Sequence, residues 1–270
     1  MASVIFLVLW LIFSAIPIIG LNAFTFQPMV FVIWFFSILF GFLMALLSVV
    51  LFLAFYGHKP KEITSENIHY HKVINSILRL IVHLVRARVV ITGVENIPKQ
   101  NFILVSNHQS AFDLIILKPI FANRPLIFIG KQVIFDWPII GRWASLLGNI
   151  SIYRESDRSA IESIIKGIKA YEQGYPVFIF PEGTRSRSNQ MGPFKAGAFK
   201  LAMKPKADIL IATVYNMEKI WRFWPFKRQT VHVHFHKLLI YDEYQHMNSQ
   251  TLSEHVKNII QKQLDSYMKG

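Results

Sequence analysis

The sequence predicts an α/β domain with a mixed, largely parallel sheet flanked by helices, preceded by an N-terminal helical hairpin in a membrane. Three observations support this prediction. Residues 1–58 contain no Asp, Glu, Lys or Arg. In the rest of the chain, apolar β-prone runs alternate with helical patterns. Polar or charged residues follow directly after four of those runs, as they do at the ligand-binding edge of a parallel sheet.

The composition divides the chain into two parts with different partners. Hydrophobic residues make up 53% of the 270 residues, yet the formal net charge is +13. We therefore predict a membrane-embedded hairpin over 1–58 and a basic α/β domain over 59–270. A basic domain beside an apolar segment favours an anionic partner, a membrane surface or a phosphate ligand, over nucleic acid. The chain has no cysteine, which excludes disulfides and thiolate chemistry.

The N-terminal part is predicted to form two apolar helices with a short turn between them. As a helix, 4–21 would be roughly 27 Å long and 29–56 roughly 42 Å, against a hydrocarbon core of about 30 Å. A signal peptide fits poorly because no positive region precedes the apolar run. A core hairpin of a soluble protein is disfavoured because 1–58 offers no charged face to water. The sequence does not decide whether the hairpin crosses the whole bilayer or enters only one leaflet. In either case both ends of the hairpin lie on the same side of the membrane.

Cationic residues flank the C-terminal end of the hairpin. They are Lys59, Lys61, Lys72, Arg79, Arg86 and Arg88. Because Lys and Arg are enriched on the cytoplasmic flanks of membrane segments, we predict that the large domain lies on the cytoplasmic face of the membrane.

Hydrophobic periodicity places the elements of the large domain. We expect strands at 88–92, 102–105, 126–129, 149–153, 177–180, 209–215 and 230–240. We expect helices at 66–86, 158–173 and 252–268. Strand and helix alternate, which is typical of a largely parallel sheet.

Side chains suited to catalysis or anion binding follow four of the expected strands. They are Asn107, His108 and Asp113; Lys131; Arg154; and Glu182, Gly183, Thr184 and Arg185. Because ligands bind at the carboxyl ends of the strands in open α/β sheets, we expect a base–acid pair and three cations to face one cleft.

His108 and Asp113 are five residues apart, which is not a contact spacing on a regular helix. The two side chains would meet if His108 precedes a helix and Asp113 lies in its first turn. Asp113 would then accept the Nδ1 proton of His108, and Nε2 would be available to remove a proton from an alcohol. A helix cap formed by the Asn or Ser of this segment, with an incidental histidine, explains the same residues, so spacing alone leaves both interpretations open.

The Glu-Gly-Thr-Arg sequence at 182–185 suits phosphate binding. Gly183 permits close approach of the backbone to a ligand, and the Arg185 guanidinium can donate two parallel hydrogen bonds to phosphate. Glu182 would either hold Arg185 or accept a hydrogen bond from a ligand hydroxyl. A simple salt-bridged turn is the alternative.

Together, NHQSAFD at 107–113 and FPEGTRS at 180–186 resemble the motif pair of glycerolipid acyltransferases, and best that of 1-acylglycerol-3-phosphate acyltransferases. The likeness extends from about residue 93 to about residue 215. It includes GKQVIFDWPIIG at 130–141, ISIYR at 150–154 and GPFKAGAFKLA at 192–202. Two departures weaken the assignments around them. Gln132-Val133 replaces the usual Glu-Leu, and Ala212 replaces a usual proline.

The resemblance implies transfer of a fatty acyl group from a thioester of coenzyme A or acyl-carrier protein to the sn-2 hydroxyl of lysophosphatidic acid, giving phosphatidic acid. His108 matches the family's catalytic histidine, and Asp113 its partner acid. Residues 182–185 match the acceptor-binding motif. We expect Lys131 and Arg154 to help Arg185 bind phosphate, and amides near the helix start to stabilise the oxyanion. No further cofactor and no metal are implied.

Other functions fit parts of the pattern. An acyltransferase for glycerol-3-phosphate or another lysophospholipid, or a transacylase independent of coenzyme A, would use the same residues. A non-catalytic membrane lipid-binding protein would need the arginine but has no use for the base.

Two further patterns carry alternatives of their own. His232, His234 and His236 alternate along one strand, where a solvated face is favoured over a metal site. The aromatic and cationic sequence IWRFWPFKR at 220–228 fits an interfacial loop and ordinary core packing equally well.

Overall fold

The computed structural model describes residues 2–20, 28–55, 67–153 and 157–269. The chain forms two compact units, Met1–Lys59 and Pro60–Gly270. The boundary between them lies one residue after the predicted boundary between 58 and 59.

The N-terminal unit contains two paired helices, α1 (Ala2–Gly20) and α2 (Pro28–Phe55). The two helices approach closely at Gly41, where a Cβ atom would clash with Ser14. The Trp10 indole of α1 also donates a hydrogen bond to the Ile38 carbonyl oxygen of α2 (2.9 Å). Only 11% of either apolar stretch is buried within the chain, so most of its apolar side chains face outward. Both helices are long and apolar enough to cross a membrane, which suggests membrane association of this candidate hairpin.

The C-terminal unit is built from seven strands and nine α-helices among the residues that the structure describes. The strands are β1 (Arg88–Thr92), β2 (Ile103–Ser106), β3 (Ile127–Lys131), β4 (Ile150–Ile152), β5 (Val177–Ile179), β6 (Ile209–Tyr215) and β7 (Thr230–Phe235). The helices are α3 (Asn67–Leu84), α4 (Phe112–Leu117), α5 (Gln132–Phe135), α6 (Pro138–Leu146), α7 (Asp157–Glu172), α8 (Lys200–Met203), α9 (Lys219–Phe223), α10 (Tyr241–Tyr244) and α11 (Ser249–Lys269). Short 3₁₀ turns occur at Val94–Asn96, Lys118–Phe121 and Ala196–Phe199.

The sheet has the order β1-β7-β6-β2-β5-β3-β4 and is parallel except between β6 and β7. The predicted class, a mixed and largely parallel sheet flanked by helices, is confirmed. Because β6, β2, β5, β3 and β4 all run the same way, their carboxyl ends form one edge. That edge carries the predicted site residues of the described chain.

Helices cover both faces of the sheet, which explains why the central strands are apolar without alternation. Leu104, Phe178 and Leu210 point to one face and pack with α4 residues such as Ile116. Ile103, Val177 and Ile209 point to the other face and pack with α11. All of these strand side chains are almost completely buried.

The strand predicted at 230–240 is shorter than expected. β7 ends at Phe235, and the His236 amide then bonds to the Ile211 carbonyl oxygen while Leu239 pairs with Ile209. Between these two pairs, Lys237 and Leu238 lie opposite the single residue Leu210 of β6, a bulge that interrupts regular pairing. The apolar residues after the bulge made the segment resemble one continuous strand.

Candidate active site

The site begins where β2 ends, at Ser106, and the next side chain fixes the path of the chain. Asn107 is buried, and its amide group donates to the Val214 carbonyl oxygen and accepts from the Val214 amide, both at 2.9 Å. These bonds continue the pairing of β2 with β6 beyond the end of β2. The following residue, His108, therefore leaves the sheet from a fixed position.

His108 and Asp113 are in direct contact. His108 precedes α4 and Asp113 lies in its first turn, so Nδ1 of the histidine is 2.7 Å from Oδ2 of the carboxylate. The same oxygen accepts hydrogen bonds from the amides of Gln109 (2.6 Å) and Ser110 (3.0 Å). Asp113 Oδ2 thus binds both the imidazole and two amides of the turn that precedes α4, while the first amide of the helix, that of Phe112, donates to Oγ of Ser110 (3.0 Å).

Burial is the main influence on the ionisation of Asp113. It raises the pKa of this fully buried carboxyl, while the His108 side chain and the two amides act in the opposite direction. Since the carboxylate faces Nδ1 of His108, Nε2 is the ring nitrogen that Asp113 leaves available for another partner. The Phe180 ring stacks on the imidazole with centroids 3.9 Å apart. The imidazole, 13% exposed, is therefore oriented by contacts on its edge and its face.

Glu182 joins the two predicted motifs. Its Oε1 accepts a hydrogen bond from the His108 amide (2.7 Å), and its Oε2 accepts one from the Gly192 amide (2.9 Å). In addition, the Ser186 amide donates to the His108 carbonyl oxygen (2.8 Å). Residues 107–113 and 180–186 therefore meet at one place on the sheet edge.

The partners of Glu182 differ from those expected. We predicted that it would hold Arg185 or accept a ligand hydroxyl, but its two oxygens bind backbone amides of neighbouring loops. Glu182 is only 4% exposed, and burial raises the pKa of its carboxyl. These two bonds hold the loops of His108 and Gly192 together, and sequence could not reveal them because backbone amides carry no residue signature.

The backbone amides just before α4 bind carboxylates of the protein, although we expected amides near the helix start to stabilise the oxyanion. The amides of His108, Gln109 and Ser110 all donate to carboxylate oxygens. The oxyanion-stabilising role predicted for amides near this helix start does not fit these three groups.

Gly183 adopts a left-handed backbone conformation, with φ of +68°, and its amide bonds to the Phe180 carbonyl oxygen. A Cβ at this position would lie 3.2 Å from Cε of Lys195. Lys195 is an exposed cation beside the Glu-Gly-Thr-Arg turn that we did not single out, although it lies in the quoted segment 192–202. Its amide bonds to the Pro181 carbonyl oxygen (2.8 Å), which holds it beside the turn.

We expect Gly183→Ala to destabilise the protein by about 1–2 kcal/mol, because a non-glycine residue is strained in this conformation. The free energy of unfolding, measured by denaturant titration, tests this. Gly197→Ala is the matched control, since a Cβ there meets nothing within 4 Å. Equal effects of the two substitutions would contradict the role assigned to Gly183.

Of the remaining predicted residues, those that the structure describes lie at or near the same edge. Thr184 and Arg185 are exposed, and Arg185 directly precedes Ser186, whose amide contacts His108. Lys131 is exposed at the carboxyl end of β3. Arg154 lies outside the described residues.

A network of amide side chains holds the site loops together, and sequence analysis missed it. Gln109 donates to Asn189 Oδ1 (2.9 Å) and accepts from the Met217 amide (3.0 Å). Asn189 in turn donates to Asn216 Oδ1 (3.1 Å). The network links three loops that only the folded sheet brings together.

A cavity of about 390 Å³ lies elsewhere, between β4 and α7. Asn149, Lys166 and Gln173 are among its lining residues, and none of the predicted site residues that the structure describes lines it. The His108 site lies apart from this cavity, at the carboxyl ends of β2 and β5.

The three alternating histidines of β7 and its end are partly buried, which corrects the expected solvated face. His234 Nδ1 is 2.8 Å from Thr92 Oγ1, and His236 Nε2 is 2.7 Å from Thr213 Oγ1. Burial lowers the pKa of His236 to about 4, with a smaller contribution from His234. These contacts tie β7 to β1 and β6.

Comparison with known proteins identifies the family. The acyltransferase family model matches residues 88–216, which include both motifs. Over 192 residues the chain is 30% identical to the 1-acyl-sn-glycerol-3-phosphate acyltransferase of Borreliella burgdorferi, covering 70% of this chain and 76% of that protein. This chain belongs to the 1-acyl-sn-glycerol-3-phosphate acyltransferase family. It is therefore an acyltransferase, as the motif pair predicted.

Other family members agree over shorter stretches. The chain is 31% identical over 170 residues to human 1-acyl-sn-glycerol-3-phosphate acyltransferase alpha, covering 60% of this chain and 57% of that protein. It matches only 38% of the length of the chloroplastic Brassica napus enzyme BAT2. The crystal structure of the acyltransferase PlsC from Thermotoga maritima superposes with a TM-score of 0.64, covering 82% of this chain and 88% of that one, at 22% identity. That likeness supports the fold.

Proposed function

We propose that this acyltransferase moves a fatty acyl group from an acyl thioester to the free sn-2 hydroxyl of lysophosphatidic acid, giving phosphatidic acid. The donor would be acyl-coenzyme A or an acyl-carrier protein thioester. The names of the family members support the acceptor. The observation that carries the proposal is the junction of the two motifs, where the Ser186 amide donates to the carbonyl oxygen of His108.

In the proposed mechanism His108 is the general base. Nε2 removes the acceptor hydroxyl proton while the hydroxyl oxygen attacks the thioester carbonyl carbon, forming the new C–O bond. The C–S bond then breaks, and the imidazolium returns its proton to the leaving thiolate. Asp113, in contact with Nδ1, stabilises the imidazolium. General base catalysis of this kind contributes about 10²–10⁴-fold to the rate.

The acceptor phosphate is proposed to bind the cations at this edge. Arg185 would donate paired hydrogen bonds to the phosphate oxygens, with Lys131 and Arg154 nearby as the sequence predicted. Lys195 joins this group because its side chain lies against Gly183. Positive charge at this edge is consistent with the net charge of +13.

Replacing Arg185 with alanine is expected to raise the KM for lysophosphatidic acid roughly 10–100-fold, because hydrogen bonds to charged groups contribute about 1.5–3 kcal/mol. The turnover number should fall much less. Steady-state kinetics with varied acceptor measures both constants. Arg187→Ala, another exposed arginine two positions on, is the control. An unchanged KM in Arg185→Ala would contradict the phosphate role.

The hairpin over 1–58 is proposed to anchor the enzyme in the phospholipid bilayer, with the acyltransferase domain over 59–270 on the cytoplasmic face. The charge-free helices support the first part, and the cationic flank supports the second. No metal and no cofactor beyond the acyl donor enter the proposed reaction, and nucleic acid is not a proposed partner.

Thiol release separates this function from its rivals. Acyl-coenzyme A and acyl-carrier protein thioester are each supplied with lysophosphatidic acid, glycerol-3-phosphate, another lysophospholipid or no acceptor. We expect release that depends on acceptor and is fastest with lysophosphatidic acid. Release without acceptor would indicate a thioesterase. An absence of release with every acceptor would favour a lipid-binding protein or a transacylase that uses no thioester.

A further inference from the structure

The segment 219–228, which we call the aromatic arm, exposes large aromatic side chains. Trp221 is 70% exposed, Trp224 is 44% exposed and Phe226 is 94% exposed. Contiguous apolar surface of this kind is unfavourable in water and commonly marks a contact with a membrane or another molecule.

Packing holds the aromatic arm in place. Ile220 is 1% exposed within the core beside α4, and the Trp224 indole donates to the carbonyl oxygen of Leu84 at the end of α3 (3.3 Å). The Trp221 ring stacks on Trp224 with centroids 6.0 Å apart and lies 6.5 Å from the Phe112 ring. The Trp221 and Trp224 rings are therefore held on the surface by contacts with α3 and α4.

The charge of the aromatic arm suits an anionic lipid surface. Its charged residues are Lys219, Arg222, Lys227 and Arg228, and the segment contains no Asp or Glu. Tryptophan favours the boundary between headgroups and acyl chains, while Lys and Arg attract anionic headgroups. Aromatic and cationic side chains interleaved in this way match the chemistry of a bilayer interface better than that of an apolar protein groove.

The aromatic arm lies beside the catalytic turn. It follows β6, whose carboxyl end shares the sheet edge with β2. Ser110, between His108 and Asp113, donates a hydrogen bond from Oγ to the carbonyl oxygen of Met217 (3.2 Å), two residues before the arm. Membrane contact here would keep His108 close to the lipid surface.

We propose that the aromatic arm is a membrane-contact surface of the catalytic unit, separate from the helical hairpin. Trp221 and Phe226 enter the interfacial layer of an anionic bilayer, and Lys227 and Arg228 contact its headgroups. The arm thereby presents the site edge to acceptor molecules that lie in the membrane.

The absence of cysteine permits a direct depth measurement. The full chain carrying Phe226→Cys is labelled with a nitroxide and reconstituted into vesicles of phosphatidylglycerol and phosphatidylcholine. Relative accessibility to oxygen and to a nickel chelate reports the depth of the label. We expect the label at 226 to favour oxygen, as in a bilayer interface. A label at the exposed position Lys262→Cys, on α11 and the opposite sheet face, should stay in water. Equal nickel accessibility at both positions would overturn the proposal.

A kinetic test distinguishes failure of this inference from failure of the proposed function. Trp221→Ala combined with Phe226→Ala should lower the rate on vesicle-embedded lysophosphatidic acid about tenfold, because interfacial binding is lost. The rate on a short-chain, water-soluble acceptor should be unchanged. An equal loss on both acceptors would mean that the arm supports the fold or the chemistry and not membrane contact.

Discussion

His108→Ala is expected to abolish turnover while the protein still folds. The substitution removes the base, which contributes about 10²–10⁴-fold by proton transfer, and leaves no other histidine in contact with Asp113 among the described residues. The bonds from His108 to Glu182 and Ser186 use its backbone amide and carbonyl, so alanine retains them. Initial rates of thiol release at saturating lysophosphatidic acid measure the loss, and thermal unfolding measures the fold.

His246→Ala is the matched control, because this exposed histidine follows α10. It should retain full activity. Acyl transfer at the normal rate by His108→Ala would remove the base from the mechanism. A large drop in melting temperature for His108→Ala would assign the residue to the fold instead.

Asp113→Asn is expected to lower the turnover number by about 10²-fold or more, with little change in the KM for the acceptor. Asparagine keeps one oxygen for the amides of Gln109 and Ser110, but it lacks the negative charge that stabilises the imidazolium. Loss of that charge acts on the transition state and not on acceptor binding, which is why kcat changes and KM does not.

Asp113→Asn should not lose stability although it loses activity. Burial raises the pKa of Asp113 above its unfolded value, so the carboxyl favours the folded state at low pH and loses this contribution as the pH rises through its folded-state pKa. Asp113 therefore favours the folded state less at neutral pH than at low pH. We expect the melting temperature of Asp113→Asn to equal or exceed that of the wild type at pH 7, whereas the exposed control Asp242→Asn changes neither property. Wild-type kcat in Asp113→Asn would contradict the pairing.

Much of the site could be predicted because parallel strands gather their carboxyl ends on one edge. The sequence identified the ends of β2, β3 and β5 from their apolar runs, and the residues that follow β2 and β5 meet as expected. The contact between His108 and Asp113 followed from placing the histidine before α4 and the aspartate in its first turn.

The contacts that could not be predicted depend on atoms without a residue signature or on distant loops. We expected Glu182 to hold Arg185 or to accept a ligand hydroxyl, whereas in the folded chain its two oxygens accept hydrogen bonds from the amides of His108 and Gly192. Lys195 approaches Gly183 only because the chain turns back after the Glu-Gly-Thr-Arg sequence. Gln109 and Asn189 are far apart in sequence and form no periodic pattern, so only the assembled sheet edge brings them together.

In the proposed mechanism, the imidazole of His108 and the guanidinium of Arg185 act on the same acceptor molecule. The most direct measurement is kcat/KM for lysophosphatidic acid divided by kcat/KM for the same 1-acylglycerol without phosphate, in wild type, Arg185→Ala and His108→Ala. We predict that Arg185→Ala loses most of the preference for the phosphorylated acceptor, and that any residual activity of His108→Ala keeps it. Full preference in Arg185→Ala would show that Arg185 does not bind the acceptor phosphate.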